Sequence, residues 1–135
     1  RCALNHVERL KSRLDTTHMT YTNQETAFAD IFISNNQWAL DLVRDMLAFD
    51  VKSMVHTKPE EWTEEQYVKF TFADKLKAWF EMLEESRDIW ASGGSAPTIF
   101  RNSSEKRRDV VVGLKDIGSL HRVEWSEVAQ SQMEK

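Results

Sequence analysis

The chain has 135 residues, 30% of them charged, with a formal net charge of -4 at pH 7. That length suits one domain, and the acidic balance argues against a nucleic-acid partner. A single cysteine, Cys2, allows no intramolecular disulfide and no cysteine-based zinc site, which points to a reducing, cytoplasmic setting.

Residues 1–58 contain neither Gly nor Pro. Apolar residues recur there at steps of three and four: Val7, Leu10, Leu14, Tyr21, Phe28, Ile31, Trp38, Leu42, Phe49. The spacing predicts one very long helix, or two helices joined with little change of direction. Ser34 and Gln37 form a capping-box pattern that would start a new helix, but Phe28, Ile31, Asn35, Trp38 and Leu42 stay in phase across it. The continuous or slightly kinked form is the expectation. The chain opens without Met inside this pattern and reads as a piece of a longer protein.

Thr57-Lys-Pro-Glu-Glu61 interrupts the pattern, because the residue before a proline avoids the helical region. A second helix is then predicted from Thr63. Thr63 and Gln66 make a capping box, and Trp62 with Tyr67 occupies the staple positions. Its inward stripe is Val68, Phe72, Leu76, Trp79, Leu83 and Trp90, and Ser92-Gly93-Gly94 ends it. Residues 92–104 read as a loop. A last helix is expected from Asn102 or Ser103, with Val110, Leu114, Ile117, His121, Trp125 and Val128 on one face and Gly113 and Gly118 as weak points. Trp38, Trp79 and Trp90 are expected to be mostly buried. Thr26-Ala-Phe-Ala-Asp30 echoes Thr71-Phe-Ala-Asp74, too short a string to establish a repeat.

Catalytic and metal signatures are weak. His6, His18, His56 and His121 lie in four different segments, outside any Glu-x-x-His unit. Ser103-Ser104 lacks a nucleophile elbow, and Gly93-Gly94 lacks the Lys and Ser/Thr of a phosphate loop. No cofactor is expected. One charged cluster stands out: Arg101, Lys106, Arg107 and Arg108, next to Ile99 and Phe100. It suits an anionic membrane surface, where each cation contributes about 1 kcal/mol and exposed Ile or Phe enters the interface. The plainer reading is a solvated junction between loop and helix.

Leu10-Lys-Ser-Arg-Leu14 followed by Tyr21-Thr-Asn-Gln-Glu-Thr-Ala-Phe-Ala-Asp-Ile-Phe32 resembles the first long helix of BAR domains of the sorting-nexin and arfaptin kind. Tyr67-Val-Lys-Phe-Thr-Phe-Ala-Asp-Lys-Leu76 is similar to a second-helix segment of that family. The resemblance implies a crescent-type coiled-coil homodimer peripheral to membranes and active in membrane trafficking.

The sequence therefore predicts a single all-α domain over 1–135, an elongated antiparallel bundle of three to four long helices. The expected function is a non-enzymatic scaffold that dimerises or binds a protein partner through the seam Phe28, Ile31, Trp38, Leu42 and Phe49. Contact with anionic membrane would fall to Ile99, Phe100, Arg101, Lys106, Arg107 and Arg108. The alternative is a compact helical ligand-binding or enzymatic domain with an aromatic-lined pocket among Phe28, Trp38, Phe72 and Trp79.

Overall fold

A computed structural model describes residues 21–94 and 103–135. Their regular structure is helical, and no strand occurs among them. Five α-helices follow in order: α1 Gln24–Asn35, α2 Gln37–Asp45, α3 Glu64–Ala91, α4 Ser104–Ile117 and α5 Trp125–Met133. Among the described helices only α3, with 28 residues, has the length expected of a bundle rod. The others run from 9 to 14 residues, so five elements share one core rather than three or four long ones.

The core is organised around α1. Every residue from Thr26 to Ile33 is buried, on all sides of the helix, as expected of a central helix packed by several neighbours. α4 and α5 flank it, and α3 lies against both of them. Asn23 caps its start, with Oδ1 accepting from the Thr26 amide at 2.8 Å.

The continuous helix expected through residue 58 does not form. The chain breaks at Asn36, which is extended at φ -116 and ψ 107. The Asn36 side-chain amide donates to the Phe32 carbonyl at 2.8 Å, taking a bond that a continuing helix would supply from its own backbone. α2 then loosens into a wide π-helical turn over Met46–Val51 and a 3-10 stretch over Lys52–Thr57. Pro59 follows, and the chain re-enters helix at Thr63.

α3 begins as its sequence predicts. Thr63 Oγ1 accepts from the Gln66 amide at 3.1 Å, and Gln66 Oε1 accepts from the Thr63 amide at 2.9 Å. Trp62 stacks on Phe70 at 5.8 Å between ring centroids, while the Tyr67 hydroxyl meets Thr57 Oγ1 at 3.1 Å. Phe72, Leu76 and Leu83 of the predicted stripe are fully buried, and Val68, Trp79 and Trp90 pack half-buried against them. At the far end Gly94 N–H donates to Ile89 O and Gly93 N–H to Trp90 O. Gly93 has φ +86, the left-handed position that closes a Schellman motif.

Beyond residue 103 the single helix expected becomes two. Ser103 caps α4 through the Lys106 amide at 3.2 Å. Gly118 ends it at φ 84 and ψ -97, a conformation open to glycine, and a 3-10 turn over Leu120–Arg122 leads into α5. His121, expected on the apolar face, is exposed on that turn. The core they close contains Val110, Leu114 and Ile117 of α4 and Val128 and Ala129 of α5.

Candidate functional site

The interaction seam read from the sequence does not survive as one face. Phe28 and Ile31 are buried at the edge of α1. Trp38 and Leu42 are half-buried on α2, and Phe49 is 71% exposed on the π-helical turn. The break at Asn36 redirects the chain, so the heptad phase on either side describes different surfaces.

What α1 does present is one wall of a cleft. Phe28, Ile31, Phe32, Asn35 and Asn36 form that wall, and Arg108, Asp109, Val112, Gly113 and Asp116 of α4 form the other, enclosing about 270 Å³. The two helices come this close because Gly113 faces the Phe32 ring, where an added Cβ would overlap its edge. The floor is apolar and aromatic, and the rim on α4 carries one cation and two carboxylates. Val112 stands on the lip, 49% exposed, next to Val111 at 44%. An apolar floor with a few placed charges is the usual make-up of a recognition cleft.

The cleft is held by contacts that the sequence did not announce. Trp38 Nε1 donates to Asp109 Oδ2 at 2.9 Å, tying α2 to α4. The Lys106 ammonium lies 5.8 Å from the Trp38 ring centroid, and the Arg107 guanidinium 4.8 Å from that of Trp90. Two of the cations proposed for an anionic surface thus lie over tryptophan faces, worth about 0.5–1 kcal/mol each at such half-exposed sites. Arg108 is the member of the cluster that reaches the cleft. Ile99, Phe100 and Arg101 lie outside the described residues.

The pocket expected among Phe28, Trp38, Phe72 and Trp79 is not this cleft. Phe28 lines it, but Phe72 is fully buried, and Trp38 and Trp79 pack edge-on or tilted against Phe32 and each other. The ring cluster continues through Phe80, 5.1 Å from Trp79 and 5.0 Å from Trp125 between centroids, and so fills the middle of the described helices.

A second constellation was missed at the sequence level. Asp30 is 2% exposed in the middle of α1. Its carboxylate accepts from the Tyr21 hydroxyl at 2.5 Å, Ser131 Oγ at 2.6 Å and Gln132 Nε2 at 2.6 Å, and Lys135 Nζ lies 3.6 Å away. Burial, then the hydrogen bond to Asp30, push the Tyr21 hydroxyl well above its ordinary range. A readable signal existed: Asp30 is the one charged residue inside Ala27–Ile33, so it had to find partners. Its echo, Asp74, is exposed, and the two aspartates do different work.

The network fixes α5 on α1, with help from neighbouring bonds. Thr26 Oγ1 accepts from the Glu124 amide at 2.9 Å, and Asn23 Nδ2 donates to the Arg122 carbonyl at 2.6 Å. Every Asp30 donor is a side chain of the protein itself, and the group is covered. We read it as a structural clamp.

Among the described residues no group of three or more His, Cys, Asp or Glu is placed to hold a metal ion. No described helix is long and apolar enough to cross a membrane. No family model matches the chain, and neither a curated protein nor a solved structure does so.

Proposed function

We propose that the protein is a non-enzymatic helical interaction module, and that it receives a protein partner on the face formed by α1 and α4. One observation carries this reading. Phe28 and Ile31 of the predicted seam meet Arg108 and Val112 at an open cleft, with Val111 and Val112 half-exposed beside it. A helical segment laid there would cover the two valines and place its own charges against Arg108 and Asp116.

A membrane-facing form of the module would require Lys106 and Arg107 to leave the rings of Trp38 and Trp90. The partner reading leaves both where they are.

The test is site-specific photo-crosslinking in cells that express the protein. A photoreactive residue replaces Val112, and Glu85, exposed on α3, serves as the control position. Discrete protein adducts from position 112 and none from position 85 are expected. Equal or absent labelling at the two positions would reject the reading.

A further inference from the structure

The charges of α4 divide into engaged and open ones. Asp109 accepts from Trp38 Nε1, and Asp116 is also engaged within the chain. Lys106 and Arg107 lie over tryptophan rings. Arg108 and Lys115 are exposed, and among the described residues neither forms an ion pair. Glu105, exposed in the first turn, is not paired with Arg108 either. Lys115 has a local reason to be where it is, since the last turn of a helix favours a cation. Arg108, in the middle of α4, has none.

Seven residues at about 100° each bring Lys115 back to within about 20° of Arg108, and the rise per residue sets the two about 10 Å apart along α4. Val111 and Val112 fall between them, one on either side of that line, and are 44% and 49% exposed. The strip therefore runs cation, two valines, cation, beside a cleft whose floor is Phe28, Ile31 and Phe32.

We infer that the partner received on this face is an acidic amphipathic helix; this rests on the partner-binding reading above. It presents an Asp or Glu to Arg108 and another, two turns away, to Lys115. An apolar residue between them covers Val111 and Val112. A carboxylate fits the guanidinium fork of Arg108 with two parallel hydrogen bonds. The spacing serves a helix running in either direction, because both ends of the strip carry the same charge. A basic partner would meet like charge at both ends. A free anion would satisfy Arg108 and leave the valines in water.

Photo-crosslinking from position 112 in cells, with the adducts sequenced, tests the partner's chemistry. It is run in the wild-type background and with Arg108→Glu, Lys115→Glu and Arg108→Lys. The crosslinked segment should carry Asp or Glu at seven-residue spacing about an apolar residue. Each charge reversal should cut the adduct yield about fivefold or more, and Arg108→Lys should cut it less. Both positions are exposed, so circular dichroism of the purified variants should show unchanged helix content. The crosslinked segment, made as a synthetic peptide, should bind the purified chain in fluorescence anisotropy, more weakly as salt rises. Its form with Lys in place of the two carboxylates should fail on the wild-type chain and bind the chain that carries both reversals. Adducts whose yield ignores both reversals, or a partner segment without the carboxylates, would overturn the inference and leave the interaction module standing. An absence of protein adducts from position 112 would remove both.

Discussion

At the scale of single residues, the polar groups inside the core decide how α5 is seated on α1. Asp30 would be costly to bury alone, and its three donors turn that cost into a specific clamp between α1 and α5. Tyr21 is its pH-sensitive member. Its hydroxyl ionises at higher pH in the folded protein than in the unfolded chain, where the ordinary value is 10.0. Below that pH both states keep the proton, and the contribution of Tyr21 to stability is intact. Above it the unfolded chain gives up the proton first, so the folded state loses ground as pH rises. Tyr21→Phe should therefore unfold more easily than wild type at pH 7, by about 1 kcal/mol. Its alkaline loss of stability should also be shallower. Denaturant titrations of both proteins at pH 7 and above pH 10 would show this. Parallel alkaline limbs would mean that Tyr21 is not held as described.

At the scale of elements, the approach of α1 to α4 depends on one missing methyl group. Gly113 sits in the interior of α4, where Ala would ordinarily be better by about 0.5–1 kcal/mol. Here the added Cβ would overlap the Phe32 ring, which is already packed against Trp38, Trp79 and Phe80 at 6.0, 6.3 and 5.7 Å between centroids. Gly113→Ala should therefore destabilise the protein by about 1–3 kcal/mol in chemical denaturation, against helix propensity. A stabilised variant would show that the two helices can separate freely.

What could be read in advance at this scale was local. The capping box of Thr63 and Gln66, the cap at Ser103 and the glycine stop at Gly93 each involve residues a few positions apart, and each forms as its pattern implies. The breaks at Asn36 and Gly118 fall where the capping-box pattern and the weak glycine stood, but apolar phase is indifferent to a single residue and favoured continuity. Asn36 leaves the helix for the Phe32 carbonyl, and Gly118 adopts a backbone that other residues avoid. The cleft itself was half-visible. Phe28, Ile31 and Arg108 were singled out, but nothing local joins α1 to a helix more than 70 positions later. The cations had the same difficulty: Lys106 and Arg107 read as a basic patch until their tryptophan partners were brought across from α2 and α3.

At the scale of the whole molecule, the described residues form five α-helices whose centre is filled by aromatic rings packed edge-to-face and tilted. The α1–α4 face combines an apolar cleft, half-exposed valines and a rim of one cation and two carboxylates.

The central claim, that the α1–α4 face receives a protein partner, is tested most directly by photo-crosslinking from position 112 in cells that express the protein, with exposed Glu85 as the control position. The account predicts discrete protein adducts from position 112 and none from position 85. Equal or absent labelling at the two positions would contradict it.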